Sequence, residues 1–271
     1  MPDHPPVLVA PDAFGGDLRA PVVAAALARG LERAGVTPPP ELCPVSSGGR
    51  GTIEALLPAL GGETGDGFAL IEDGGTAIVE LAASVELTGK WLAAAAATGA
   101  AVVVFAAAGA QASPAEGAAP PAAAGAEVSA EDGGALHAAL AEHGGLGAAS
   151  LVVLCDVREP TPLAAYLRDE AGARLVAGAP FVLEALGLDV RMRAARAVVV
   201  GDARLERATL CGRVVGEIAT RARQSGVPCH AVTATAAIDR FDARILDLQA
   251  ILEAGTVAEL EAAGEALAAY L

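Results

Sequence analysis

The residues whose types and spacing could do chemistry follow short apolar runs. Asp12 ends the run at 7–12, the loop Ser46-Ser47-Gly48-Gly49-Arg50-Gly51-Thr52 follows 41–45, Gly201-Asp202 follows 197–200, and Thr233 follows 229–232. In open parallel sheets, ligands sit beyond the carboxyl ends of the strands, so these positions are where a site is expected. A glycine loop that opens a helix can aim backbone N–H groups at a phosphate or carboxylate, helped by the helix dipole. The same glycines also suit a tight strand-to-helix turn, and both readings stay open. Gly48-Gly49-Arg50-Gly51 is neither a Walker A sequence nor a GxGxxG pattern. Residues 191–223 hold eight arginines against Asp202, Glu206 and Glu217. Most of these arginines are expected to balance acids or face solvent. Arg204 and Arg213 are the exceptions, placed in the loop and helix start just after a strand.

The elements that must position these residues can be read from periodicity. The run at 7–12 is a strand, and Asp17 is placed to cap a helix through Val22, Val23, Ala26, Leu27 and Leu31 that ends at Gly35. A second strand at 41–45 precedes a helix through Ile53, Leu56, Leu57 and Leu60, repeating the unit. Strands at 197–200 and 229–232 flank a helix over 214–224 that stops at Gly226. These four strands suit a parallel sheet with crossover helices. The middle differs. Strands at 68–71 and 76–81, joined by Glu72-Asp73-Gly74-Gly75, predict a hairpin. A helix over 88–98 and strands at 102–105 and 151–154 complete a second subdomain, and 257–271 is an amphipathic helix. Residues 106–134 are dominated by Ala, Gly and Pro, which predicts a mobile or irregular loop.

The 271 residues carry 18 basic and 33 acidic side chains, a formal charge of −15, and 54% hydrophobic residues. Such a chain can fill a core, and its charge argues against nucleic-acid binding. Lys90 is the only lysine. The longest uncharged run, 91–115, is broken by Thr98-Gly99 and reads as a helix followed by a buried strand rather than a membrane span. No export signal is visible in the first residues, so the expected location is the cytoplasm. Cys43, Cys155, Cys211 and Cys229 lie far apart without a CxxC pair and read as reduced, buried thiols. His4, His137, His143 and His230 lack ligand spacing.

Several motifs in register resemble the class I glycerate kinases, which transfer a phosphoryl group from ATP to glycerate. The family's Ala-Pro-Asp-Ser-Phe-Lys-Gly-Ser is similar to Ala10-Pro11-Asp12-Ala13-Phe14-Gly15-Gly16-Asp17, and its Ala-Asp-Gly-Gly-Glu-Gly-Thr to Ser46 through Thr52. Its Cys-Asp-Val matches Cys155-Asp156-Val157. The segment Leu186-Gly187-Leu188-Asp189 through Ala197, with Gly201-Asp202-Ala203-Arg204-Leu205-Glu206 and Thr209 to Arg213, resembles the family's Gly-Glu-Gly-Arg-Leu-Asp and following Gly-Lys. The resemblance implies a two-domain α/β fold. A Rossmann-like parallel-sheet domain is made from both chain ends, 1–65 and 186–271, and the inserted α/β domain spans 66–185, with the active site in the cleft. It implies Asp12, Asp202 and Arg204 as catalytic residues. Gly48, Gly49, Arg50, Gly51, Asp156, Glu206 and Arg213 become substrate or phosphate partners, with ATP and magnesium as cofactors of an active enzyme.

The departures are chemical. The family lysine of the first motif is Gly15, and the acidic pair of the second is Ser47 and Arg50. The family's Asn-Asp loop after the strand ending at Phe105 is replaced by alanines, Gln111 and Ser113. Phosphoryl transfer depends on positioning and on cations that neutralise developing charge, and losing one such group costs on the order of 10²–10³ in rate. The expectation is a ligand-binding or regulatory pseudoenzyme that takes a small anion, with a homodimer or an association with an active relative as the assemblies to consider. The alternative is a divergent, active hydroxy-acid kinase using Arg50 or Arg213.

Overall fold

The computed structural model describes residues 4–71, 74–108, 132–210 and 212–271. In chain order, the first elements are β1 (Val7–Pro11), α1 (Ala20–Arg33), β2 (Glu41–Leu42), α2 (Thr52–Leu60), β3 (Glu63–Thr64), β4 (Phe68–Ile71), β5 (Thr76–Glu80) and α3 (Val85–Ala97). Then come β6 (Val102–Ala106), α4 (Asp132–Glu142), β7 (Ser150–Cys155), α5 (Pro162–Ala171), β8 (Arg174–Ala177), α6 (Gly178–Ala185) and α7 (Leu188–Arg193). The chain finishes with β9 (Ala197–Leu205), α8 (Val214–Ser225), β10 (Cys229–Ala236), α9 (Arg240–Ile245), β11 (Leu248–Glu253) and α10 (Val257–Leu267).

These elements form two compact units, Met1–Ser46 with Leu183–Leu271, and Ser47–Val182. The first unit holds a sheet of order β11-β10-β9-β1-β2, parallel throughout, with Val7 opposite Ala197 and Pro11 opposite Gly201. Its central strands read as unbroken apolar runs because helices cover both faces. On one face Val9, Val199 and Val232 pack against Val23, Leu27 and Leu31 of α1 and Leu260 and Leu267 of α10. The second unit holds the order β3-β4-β5-β6-β7-β8, antiparallel through β5 and parallel from β5 to β8. Alternate residues Val103, Phe105, Leu151 and Val153 form one core with Leu92, Leu136, Leu163 and Leu167.

The sheets follow the sequence periodicity, with corrections at boundaries. The first break falls after Ser46 rather than near residue 65, because α2 packs on β4 and β5 of the second sheet. The strand-helix repeat therefore stops at β2. That strand is assigned only to Leu42, although Cys43 and Val45 continue donating to Val9 and Pro11 at 2.8 and 3.0 Å. Asp17 does not cap α1. The helix starts after Arg19, with Pro21 in its first turn. The helix expected at 88–98 starts at Val85, capped by Ser84, whose hydroxyl accepts from the Leu87 N–H. β9 and β10 run on to Leu205 and Ala236, and β3, β8 and β11 join sheets without having been expected. The uncharged run becomes α3 and β6, and no described helix is long and apolar enough to cross a membrane. Cys43, Cys155 and Cys229 are buried free thiols, and burial pushes Cys229 up to about 12. Cys211, the hairpin residues Glu72 and Asp73, and 109–131 of the alanine-rich segment lie outside the described residues. At the margins of that segment, Ala106 ends β6 and Gly133-Gly134 lie in α4.

α1 and α10 approach closely enough to need glycine. A Cβ on Gly30 would enter the shell of the Glu261 carbonyl oxygen, and one on Gly264 that of the Leu27 carbonyl. Ion pairs from Arg29 and Arg33 to Glu261, at 2.8 and 2.9 Å, flank the contact. Overpacking such a backbone contact costs about 1–3 kcal/mol. Gly30→Ala is expected to lower stability by that amount in urea unfolding, while Val190→Ala, at a side chain 68% exposed, shifts it by less than about 0.5 kcal/mol.

Candidate functional site

In the first unit the site begins where β1 stops. Asp12 donates its N–H to the Gly201 carbonyl at 2.8 Å, and its carboxylate accepts from Ala13 N–H at 2.7 Å. β9 and β10 stay paired, with Asp202 opposite Thr233, which still pairs with Glu253 of β11, and Arg204 opposite Thr235, where the two strands run on as a ribbon. Asp202 and Arg204 therefore belong to a strand and not to a loop, which corrects the sequence reading. The ladder still satisfies their backbone groups after β1 has ended. The period of two places Asp202 and Arg204 on one face of the ribbon, with Glu206 next in the row.

Charge along that row alternates in sign. The Arg204 Nε donates to Glu206 Oε2 at 2.7 Å. Arg213, the residue before α8, lies with its guanidinium 3.9 Å from Asp202 and 3.8 Å from Glu206. Arg204 and Arg213 are about half exposed, whereas the Asp202 side chain is 13% exposed. Burial pushes the Asp202 carboxyl up, opposed by the Arg213 charge and by N–H groups of Arg204 and Ala203. Thr209, fully buried, holds the turn after Glu206: its hydroxyl accepts from Glu206 N–H at 3.1 Å, and its own N–H donates to the Glu206 carbonyl at 2.8 Å. The structure thus gathers Asp202, Arg204, Glu206 and Arg213, with Asp12 at the end of the adjoining strand. Two guanidiniums and two carboxylates largely offset each other, so an incoming anion competes with Glu206. The fork of each arginine offers five N–H donors, more than one carboxylate uses.

Other arginines of 191–223 serve the fold. Arg191 pairs with Glu41 and donates to Cys43 Sγ and the Leu42 carbonyl, and Arg221 pairs with Glu217 and Asp189. Arg196 and Arg223 donate to the carbonyls of Thr37 and Ile245.

The second unit has its own loop cluster at the carboxyl ends of its parallel strands. Gly48, Gly49, Arg50 and Gly51 lead into α2, and Thr52 donates its hydroxyl to the Gly49 carbonyl at 2.6 Å. The Ala108 N–H, just past β6, donates to the Gly48 carbonyl at 3.1 Å. A Cβ on Gly49 would overlap the Ala108 carbonyl oxygen, so close backbone approach by itself requires glycine there. At the head of α2, Ile53 N–H donates to Glu80 Oε1 at 2.8 Å, and Gly51 N–H reaches the same carboxyl. Glu80 ends β5. Burial pushes its carboxyl up, against the two N–H groups and the nearby Arg50 charge. An acid of this chain therefore occupies the donors that the sequence reading offered to phosphate. Asp156 follows β7 in this unit, exposed, its carboxylate accepting from Arg158 N–H at 2.9 Å in a turn. Lys90 is exposed on α3.

Sequence reasoning missed Glu80, and it named Thr209 only as the first residue of the stretch Thr209 to Arg213 in the family resemblance, without its structural role. Glu80 had a signal, as the only acid in the apolar run 76–81 and at its carboxyl end. Thr209 had none, because a short exposed turn and a buried one read alike. Among the described residues, no three His, Cys, Asp or Glu gather in a way that could hold a metal ion.

Glu80→Ala leaves the Ile53 and Gly51 N–H groups without this acceptor and is expected to cost about 1–3 kcal/mol. Glu80→Gln keeps an acceptor and removes the charge. A raised native carboxyl holds its proton where the unfolded chain has released it, so stability falls as pH rises from the ordinary 4.5 through the native value. Urea unfolding across that window should show this slope in the native sequence and lose Glu80's part of it in Glu80→Gln.

The geometry can be set against known proteins. No curated protein sequence matches the chain. The crystal structure of a protein provisionally assigned as glycerate kinase 2, from Salmonella typhimurium LT2, is similar with a TM-score of 0.68 at 18% identity, over 99% of this chain and 98% of that one. That likeness concerns the fold. The glycerate kinase family model matches residues 7–160 and 163–268, and on that match the chain belongs to the glycerate kinase family.

Proposed function

We propose that this chain binds a small carboxylate- or phosphate-bearing ligand of the glycerate type at the β9–β10 ribbon, and that it has lost most or all of the family's ATP-dependent phosphoryl transfer. It then acts as a binding or regulatory pseudoenzyme. The observation that carries this reading is at Gly15, which stands where the family motif has lysine. Gly15 has φ of +93° and bridges to Leu18 in a tight turn. A side chain there would be strained as well as newly charged, so the loop is built around the absence of the cation. Arg50, in place of the family's glutamate, can attract an anion. It cannot accept a proton or coordinate a metal, because guanidinium offers no lone pair.

Ligand recognition on this reading uses Arg204 and Arg213 for the anionic group and Asp202 for a hydroxyl. Asp202, largely but not fully buried and with its carboxyl pushed up by that burial, is suited to accept a hydroxyl hydrogen bond and to hold the proton at its own carboxyl. Family membership brings ATP into the reading. The described donors do not fit a magnesium site, since Asp202 and Glu206 face Arg213 and no third ligand among the described residues joins them. The reading keeps the cytoplasm as the expected location, and a homodimer or association with an active relative is the assembly that suits a regulatory role.

A second reading, a divergent active kinase, draws on one observation. Arg213 stands at the start of α8 beside a buried acid of raised pKa, which is a cation and a candidate base together. Turnover separates the two. Purified protein with ATP, magnesium and D-glycerate is expected to form no phosphoglycerate above the blank, while D-glycerate or 2-phosphoglycerate raises its melting temperature by mass action. Gly15→Lys combined with Arg50→Glu is expected to move the protein towards activity, limited by the backbone at position 15. Robust ATP-dependent phosphoglycerate formation by the unmodified protein, abolished by Asp202→Asn or Arg204→Ala, would establish the active kinase instead.

A further inference from the structure

The starts of β10 and β11 form the end of the first sheet opposite to the Asp12–Asp202 ribbon. There the surface holds a depression of about 470 Å³, lined by Arg223, Pro228, His230, Asp247, Gln249 and Tyr270 among others. His230 is 1% exposed, and neither ring nitrogen has a hydrogen-bond partner among the described residues. Leaving such a buried polar group unpaired typically costs about 1–3 kcal/mol. Its register puts it in the row Val9–Val199–His230, on the apolar face covered by α1 and α10. A leucine there would avoid the cost. The β10–β11 ladder shifts register between Cys229 and His230, where Gln249 of β11 is the extra, unpaired residue at the rim, while β10 keeps its register against β9.

The remaining wall defines the chemistry. Tyr270 lies on the terminal turn Ala268–Tyr270, 56% exposed, with its ring centroid 6.1 Å from that of His230 at an interplanar angle of 49°. An exposed ring on a terminal turn can rotate outward, which opens the imidazole to the depression. Burial holds the imidazole neutral, so it carries one donor and one acceptor. At the rim Gln249 donates to Asp247 Oδ1 at 3.0 Å, a carboxylate beside an amide. Arg223, which donates one N–H to the Ile245 carbonyl at 2.8 Å, is the single arginine or lysine among the lining residues, so no cluster of cations awaits a phosphate.

We propose that this depression is a second ligand site, separate from the ribbon, for a neutral nucleobase or base-like heterocycle. The planar face would lie on Tyr270 and the donor–acceptor edge would meet His230. Aromatic side chains stack on every base, and amide or carboxylate groups read their edges.

The test is calorimetric titration of the intact protein with adenine, cytosine and uracil, repeated on His230→Phe, Tyr270→Ala and Arg213→Ala. Saturable binding of at least one base is expected, weakened at least tenfold by His230→Phe and by Tyr270→Ala and unchanged by Arg213→Ala. The melting temperature of His230→Phe should equal or exceed that of the native protein, because the ring is kept and two unpaired nitrogens are removed. Tyr270→Ala alters an exposed residue, so it decides the matter even if His230→Phe folds poorly. Absence of saturable binding by all three bases, binding that persists in Tyr270→Ala, or binding lost in Arg213→Ala would overturn the proposal. The last outcome would place the base at the ribbon, so failure here is distinguishable from failure of the proposed function.

Discussion

The candidate site of the first unit depends on β9 and β10 pairing beyond the point where β1 ends. Inside the sheet, the central strands are paired with neighbours on both sides and covered by helices on both faces, so they are apolar. Past Pro11 the ribbon has lost that neighbour, and the side chains change from Val198-Val199-Val200 to Asp202 and Arg204 within four residues. The ladder keeps the backbone satisfied, so polar side chains can be carried on a rigid element rather than a loop. Period-two geometry then aligns acid, base and acid, and the start of α8 supplies the fourth member, Arg213. Burial of Asp202 beside an exposed cation is a consequence of that placement.

The second unit is governed by close backbone approach. Gly48 lies against Gly178, and Gly49 against the Ala108 carbonyl, so the loop is pressed onto the carboxyl ends of the parallel strands. That packing brings the head of α2 to the end of β5, where Glu80 takes the first helical donors. A helix N-terminus attracts an anion whatever its source. Here the chain supplies its own, and a phosphate would have to displace a carboxylate already in place.

Much of the fold was legible because fully buried parallel strands leave continuous apolar runs, as at Val7, Val102, Leu151 and Ala197. The hairpin pair β4 and β5 was legible from two short apolar runs joined by a turn sequence with Asp73-Gly74. β8 and β11 were not, since Arg174 and Gln249 interrupt short segments that carry little hydrophobic signal. Asp17 was a reasonable cap by residue type, yet Pro21 fixes the helix start two residues later. For the site, Asp202, Arg204, Glu206 and Arg213 were legible as a group, but their position on a strand depended on where a neighbouring strand ends, which is a tertiary property. Glu80 was missed because its role exists only once α2 and β5 meet. The glycines of the loop were legible as glycines, while the choice between a phosphate cradle and a tight turn required the contacts of Gly49.

The central claim is that the cations of the ribbon are held by the chain's own carboxylates, so that an incoming anion competes with Glu206 for Arg204 and Arg213. Calorimetric titration of 2-phosphoglycerate into the native protein and into Glu206→Gln tests it most directly. Removing the carboxylate that faces both Arg204 and Arg213 should tighten binding about tenfold, the equivalent of about 1.4 kcal/mol. Unchanged or weaker binding in Glu206→Gln would contradict the account.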